Sequence, residues 1–455
     1  MLSAPSLAHC LAARARKTPD APALQGPAAS ASFRQLAAQT AQRAAGLRGL
    51  GLPDDAIVAL AAPARDLAMA ALACSWAGLP LLPLATDVPE SRWQQLRARA
   101  PMRMHRFATL PATATDSAAR PAASDEDSTA LLIATSGSEG VPKVAMLSQR
   151  ALAAAAVASA ERIPLRAGDV WLDCLPLNHI GGLAILWRCL AAGATVHLHD
   201  GFDAERVWHA IASGSVTHIS LVPAMLARLL EVADAVPPPA FRCALIGGAA
   251  LSHPLWQRAR RAGWPLFVSY GMSETAAQLA TLPPTDDWHP GLVGRPLPGM
   301  TAAIGDDGRI RVRGPQLMSG YLGDEWPPVD AEGWLTTGDL GRIDADGRLT
   351  VLGRADDMLV SAGVNIDPAE VEIRLAACPG ISDVAVAAER DPVWGDVLAA
   401  LLVGNADAGA VRDWCRRHLP AAQRPRRFLN VAALPRNAMG KLDRPALAVL
   451  LAGLG

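Results

Sequence analysis

The feature that most constrains the fold is a rhythm. From the start of the chain to about residue 290, short apolar runs alternate with longer stretches of helical periodicity. Residues 7–16 and 33–50 read as amphipathic helices, 56–61 as an apolar strand, 65–78 as a helix and 79–82 as a short extended stretch. Ser148 can cap a helix that runs through residue 162. Then follow a strand at 169–175, a helix from 182, a strand at 195–198, a helix from 204 and strands at 218–222, 243–246 and 266–269. Strands alternating with helices imply open, mostly parallel sheets covered on both faces. Ligands in such folds sit at the carboxyl ends of the strands, and these strands end in polar or glycine-rich loops. Residues 100–127, rich in Ala, Pro, Ser and Asp, read as a surface connection.

From residue 294 the texture changes. Gly308-Arg-Ile-Arg-Val-Arg-Gly314 and Leu349-Thr-Val-Leu352 alternate as half-buried β-strands do. After Asp356 an αβ pattern resumes, with a helix at 368–377, strands at 383–388 and 397–403 and a helix at 410–419. A chain of 455 residues exceeds what one core usually covers. The last hundred or so residues suffice for a small unit of their own, which puts a boundary near 354–357.

One loop carries a chemical signature by itself. The apolar run before it breaks at Thr135-Ser-Gly-Ser-Glu-Gly-Val-Pro-Lys143. Small hydroxylated residues and glycines let backbone N–H groups close around an anion, and Lys143 adds a mobile charge, so the loop reads as a phosphate cradle. It is not the common NTPase loop, which needs Ser or Thr after the lysine and then a helix. Here Val144 follows, Pro142 precedes, and residues 144–147 read as a returning strand. Composition sharpens this: of 42 basic residues only Lys17, Lys143 and Lys441 are lysines. A chain that otherwise uses arginine keeps lysine where a compact, mobile ammonium is required. Lys17, in the charged N-terminal stretch, reads as ordinary surface.

Bulk properties exclude several classes. The net charge of −1 gives no reason to expect nucleic acid or an anionic membrane as a partner. No window approaches the roughly 20 apolar residues of a membrane span, and the first 25 residues lack a signal-peptide layout. Seven cysteines without CxxC or Cys/His ligand spacing read as small core residues in a reducing cytoplasm.

Five loops then stand in a set order: 135–143; Pro176-Leu-Asn-His179; Ser269-Tyr-Gly-Met-Ser-Glu-Thr275; Thr337-Gly-Asp339 with Gly353-Arg-Ala-Asp356; and Pro435-Arg-Asn-Ala-Met-Gly-Lys441. Each is weak alone. Together they resemble the acyl-adenylate-forming (ANL) superfamily over nearly the whole chain. Leu175-Pro-Leu-Asn-His-Ile-Gly-Gly-Leu183, Thr217-His-Ile-Ser-Leu-Val-Pro223 and Tyr270-Gly-Met-Ser-Glu-Thr-Ala-Ala-Gln278 look most like the o-succinylbenzoate-CoA ligases of menaquinone synthesis within it. The resemblance implies an α/β fold. A large N-terminal unit of doubly wound sheets with a small β-barrel-like part (residues 1–353) is joined to a small mobile α+β unit (354–455).

The implied reaction has two halves: a carboxylate attacks the ATP α-phosphate to give acyl-AMP, then the CoA thiol displaces AMP. Two anions must meet, so positive charge and backbone donors are needed where phosphorus becomes crowded. By resemblance, Lys143 with Thr135, Ser136, Gly137, Ser138 and Gly140 takes the β- and γ-phosphates, and Lys441 reaches the carboxylate and α-phosphate. Glu274 is implied at Mg²⁺, since a hard cation prefers carboxylate oxygen. Tyr270 stacks on adenine, Gly247, Gly248, Ala249, Gly271, Met272 and Ser273 surround the nucleotide, and Asp339 and Arg354 hold the ribose and phosphates. His179 lines the acyl pocket with Leu183, Ser220, Val222, Gly271 and Thr275. Asp356 is the implied hinge about which Lys441 leaves and Gly363 arrives beside pantetheine. Arg188 is a tempting partner for a second substrate carboxylate, but an ideal helix would turn it about 180° from His179.

Each residue has a plainer reading: a glycine-serine turn, a packed tyrosine, an aspartate that forms a turn, a structural histidine. Glu139 and Val144 depart from the usual pattern, as does a shortened segment before Gly308. Also open are another aryl- or acyl-CoA ligase, an adenylating enzyme that loads an acyl carrier protein, and a non-catalytic nucleotide-binding protein. A homodimer is compatible with all of them.

Overall fold

The computed structural model describes residues 6–26, 29–100, 103–112, 120–123, 125–135, 143–324, 328–355, 359–361, 364–391, 395–436 and 442–454. Among these, three sheets share the chain up to Arg354 and a fourth occupies the remainder.

The first sheet has eight strands in the order Ala280–Leu282, Leu266–Tyr270, Cys243–Ile246, His218–Leu221, Val170–Asp173, Thr195–Leu198, Pro22–Gln25 and Ala31–Ser32. Its outermost strands are antiparallel and the six between them parallel. Every residue of His218–Leu221 and Cys243–Ile246 is buried, as covering a parallel sheet on both faces requires. The second sheet runs Gly320–Tyr321, Lys143–Ser148, Thr129–Thr135, Leu81–Leu84, Ile57–Ala61, Met104–Phe107. Here Thr129–Thr135 and Lys143–Ser148 are antiparallel neighbours with Thr135 opposite Lys143, so the phosphate-cradle stretch does connect two strands. Val144 does not disturb the return: it is fully buried within its strand. Ser148 caps the next helix, Gln149–Arg162, by accepting from the Ala151 N–H.

The β-barrel-like part is a five-stranded antiparallel sheet built from Leu292–Gly294, Leu349–Arg354, Leu335–Ile343, Arg309–Arg313 and Thr301–Ile304. The last sheet holds Val364–Ile366, Leu359–Ser361, Gly395–Gly404 and Ile381–Asp391, with Arg427–Asn430 added in parallel. In Gly395–Gly404, Leu398, Ala400 and Leu402 pack towards helices Pro368–Leu375 and Ala408–His418, whereas Ala399 and Leu401 pack towards Arg444–Gly453.

Two expectations need correction. Residues 100–127 are not only a surface connection, because Met104–Phe107 adds a parallel strand beside Ile57–Ala61. The helix expected from residue 182 is Ile180–Ala192, and His179 is its cap residue in extended conformation, φ −118° and ψ 150°.

Candidate active site

The carboxyl ends of four neighbouring parallel strands in the large sheet bring two of the motif loops, 176–179 and 269–275, and the segments at Val222 and Gly247 to one edge. Val170–Asp173 leads into the turn at His179, and His218–Leu221 into Val222. Cys243–Ile246 leads into Gly247 and Gly248, and Leu266–Tyr270 into Gly271 and the single 3₁₀ turn Ser273–Thr275. Gly271 has to be glycine, since a Cβ there would lie 1.6 Å from the Ala277 carbonyl oxygen. The same loop holds Ala276 and Ala277 at φ 49° and 91°, left-handed conformations that cost alanine free energy and concentrate at functional loops.

Two tyrosines meet two carboxylates here. The Tyr270 hydroxyl donates to Asp339 Oδ2 at 2.6 Å, while Arg354, opposite Asp339 in the antiparallel sheet, puts Nη1 3.6 Å from Oδ1. The Asp339 N–H donates in turn to Thr337 Oγ1 at 3.1 Å. Burial first, then the Asp339 carboxylate, pushes the Tyr270 phenol well up, so it stays a protonated donor. A few residues along the neighbouring loop, Glu274 Oε1 accepts from the Tyr321 hydroxyl at 2.8 Å. Lys143 Nζ lies 5.2 Å from the centre of the Tyr321 ring. Lys143 and Glu274 thus meet at Tyr321, and Asp339 and Arg354 meet beside Tyr270; Arg354 is close enough to act electrostatically on both phenols.

Glu274 Oε2 has no protein donor among the described residues, and no group of three metal-ligating side chains surrounds it. A lone, partly exposed carboxylate oxygen suits Mg²⁺ shared with phosphate oxygens and water, not a closed protein cage.

On the other side of the Tyr270 loop, Val222 is buried beside Gly248, whose φ is +79°. Ser220 accepts from the Trp171 indole N–H at 3.1 Å. Leu183 and Thr275 are fully buried. His179 is half-buried at the cap position.

Arg188 needs a fresh reading. It is buried, its guanidinium lies 5.3 Å from the Trp171 ring centre, and Trp171 in turn holds Ser220. Its Nε has no hydrogen-bond partner, and among the described residues no carboxylate reaches it within 4.0 Å. Burial pulls it down to about 10, still charged at neutral pH. The helical angle measured from His179 does not apply, because His179 caps the helix in extended conformation and lies outside its regular turns.

Ser136, Gly137, Ser138, Glu139, Gly140, Asp356, Gly363 and Lys441 lie outside the described residues. Two contacts had no motif to announce them. Trp171 sits in a strand that reads as core, and Tyr321 follows the stretch before residue 320. Tyr321 did leave one signal: it is the second of the chain's two tyrosines.

A groove at the Met104–Phe107 edge of the second sheet, lined by Leu50, Trp93, Arg97 and Phe107, contains none of these residues. Among the described residues no helix is long and apolar enough to cross a membrane.

Comparison with known proteins agrees with this geometry. The AMP-binding enzyme family matches residues 11–104 and 92–322, and the AMP-binding enzyme C-terminal domain matches residues 370–441. A 2-succinylbenzoate–CoA ligase of Bacillus licheniformis is 35% identical over 468 residues, covering 95% of this chain and 98% of the relative. The o-succinylbenzoate CoA synthetase of Bacillus subtilis, solved with the acyl-adenylate intermediate OSB-AMP, superposes with a TM-score of 0.86 at 32% identity, covering 96% of this chain and 97% of that one. The same synthetase with ATP and magnesium ion gives 0.86 over 96% and 99% at 32% identity. The two family models match in order, the first over more than half of the chain, so the chain belongs to the AMP-binding enzyme family.

Proposed function

We propose that this protein is an ATP-dependent, Mg²⁺-requiring carboxylate–CoA ligase that works through an acyl-AMP intermediate, with o-succinylbenzoate as its acid. The observation that carries the reading is the grouping of Lys143, Glu274, Asp339 and Arg354 around the two phenols Tyr270 and Tyr321. Asp339, oriented by Tyr270 and Arg354, accepts from the ribose hydroxyls, and Tyr270 offers its ring to adenine. Gly247, Gly248 and Ala249 let backbone approach the base closely. Lys143 and the 135–140 loop neutralise the β- and γ-phosphates. Glu274 would hold Mg²⁺, which when bound would screen the charge of the triphosphate.

The acid lies between His179, Val222 and the Tyr270 loop. Arg188 meets its second carboxylate, a partner that would compensate a buried charge that lies by an aromatic ring and feels Asp173 without an ion-pair contact to it. An acid with a distal carboxylate and an aromatic body fits that pairing, and it is the acid named in the relatives described above.

The two half-reactions divide between two units, residues 1–353 and 354–455. Lys441, on the small unit, brings its ammonium to the meeting point of carboxylate and α-phosphate. Rotation about Asp356 then withdraws it and presents Gly363 to the pantetheine arm of CoA. The approach of the units supports a hinge here. Gly353 sits at φ +155°, and a Cβ on it would lie 2.3 Å from the carboxylate of Asp367, the cap of helix Pro368–Leu375.

The test is pyrophosphate release over a panel of carboxylic acids, repeated with and without CoA. Release with o-succinylbenzoate, and its thioester once CoA is present, is expected. Preference for an acid lacking a distal carboxylate would reassign the substrate. Trapping by hydroxylamine with no thioester on CoA addition would reassign the acceptor to a carrier protein.

A further inference from the structure

Tyr321 has no part in the reaction outlined above, yet it touches two of its participants. Its hydroxyl donates to Glu274 Oε1 at 2.8 Å and its ring lies 5.2 Å from the Lys143 ammonium. The segment that carries it is tied to both partners through backbone as well. The Met318 N–H donates to the Glu274 carbonyl, the Ser319 N–H to that of Met146 and the Leu322 N–H to that of Val144, each at 2.9 Å. Gly320–Tyr321 pairs antiparallel with Met146 and Ala145 on the strand that Lys143 begins. A short edge strand therefore bridges the phosphate-loop strand of one sheet and the Glu274 loop of the other.

We propose that Tyr321 is a positioning residue for metal-nucleotide binding: its hydroxyl fixes Glu274 by one oxygen so that the other faces the cation, and its ring holds Lys143 beside the triphosphate. A carboxylate pinned at one oxygen keeps its second in a set direction without losing its charge. A cation over an aromatic face is held loosely enough to turn towards phosphate. The inference rests on the ligase reading, and its test separates the two.

Mn²⁺ serves as a paramagnetic probe of its own binding to the full-length protein with α,β-methylene-ATP, an analogue that cannot transfer its adenylyl group. Tyr321→Phe keeps the ring and removes the donor. The expected result is a roughly ten-fold weaker Mn²⁺ affinity, the size of one hydrogen bond to a charged acceptor, with analogue binding in the absence of metal unchanged. Tyr321→Leu should in addition weaken metal-free analogue binding several-fold through Lys143. In a Glu274→Gln background the phenylalanine substitution should have no further effect on Mn²⁺, because its route runs through Glu274. Wild-type Mn²⁺ affinity in Tyr321→Phe, or an effect that adds in full to Glu274→Gln, overturns the inference. Failure of the wild-type protein to bind the Mn²⁺–analogue pair would instead overturn the ligase reading.

Discussion

The two ends of the chain are packed on opposite plans. Up to Val351 the apolar side chains form one large cluster spanning the sheets, with a satellite under Ile57, Trp93 and Leu322. From Leu359 onwards they form two smaller clusters on either face of a single sheet, and no residue belongs to both regions. The difference bears on function. In the first region the carboxylates Glu274 and Asp339 are clamped by phenols and by neighbouring strands, so they hold still. The second has a self-contained core and can turn as a body without opening the first. The proposed division, a fixed nucleotide bed on one region and Lys441 carried by the other, draws on this separation of the two cores.

Lys441→Ala should break this division most sharply. Loss of an ammonium from the point where two anions meet is expected to slow pyrophosphate release by roughly 10²–10³-fold, the scale of one preorganised charge-stabilising group. Thioester formation from supplied acyl-AMP should stay within a few-fold of wild type, measured by single-turnover quench. Equal losses in both halves would mean that the two regions do not share out the chemistry.

Acid should separate the regions next. Burial lowers His218, under the large sheet, to about 4 from 6.5, with Nε2 3.0 Å from the Pro164 carbonyl oxygen. The unfolded chain takes up this proton near pH 6.5 and the folded one only near 4. Its stabilisation is therefore complete above pH 6.5 and is lost as pH falls to 4, by up to roughly 3 kcal/mol. Glu372 in the small region has the opposite sign: burial raises it despite the Arg444 pair at 2.7 Å. Its contribution is greatest at low pH and declines as pH rises through its folded value. Region-resolved hydrogen exchange between pH 7 and 4 should show the large region weakening first, and His218→Gln should flatten that slope.

The smallest expected effect contrasts function with stability. Arg188→Met removes a buried charge that has no carboxylate partner among the described residues, so the midpoint of urea unfolding should hold or rise. KM for o-succinylbenzoate should increase about ten-fold or more while KM for ATP is unchanged, as expected when one charge-assisted contact is lost. An unaltered KM for the acid would return Arg188 to a purely structural role.

Much of this was legible in the sequence. The strand at 243–246 is read to the residue, since every position is apolar and glycines follow it. The cradle stretch between two strands is legible because Pro142 and Val144 exclude a helix there. Met104–Phe107 was not legible. As an edge strand with only Met104 fully buried, it lacks both the apolar run and the alternation that mark a strand, and its partner lies some 45 residues earlier. The angle between His179 and Arg188 was not legible because it has meaning only if both lie in the helix, and the extended backbone at His179 shows where regular turns begin. The phenol–carboxylate pairs were invisible for a different reason. Tyr270 and Asp339 are 69 residues apart, Tyr321 and Glu274 47, and only the fold brings them together.

The central claim is best tested by a distance. Val157 on helix Gln149–Arg162 and Val449 on helix Arg444–Gly453 are exposed, one in each region, and can carry spin labels as Val157→Cys and Val449→Cys with the half-buried Cys10 replaced by Ser. Electron–electron resonance on samples frozen with α,β-methylene-ATP and with a CoA thioester product analogue plus AMP should give two separate distance distributions. One distribution, unchanged between the two ligand states, would contradict the account.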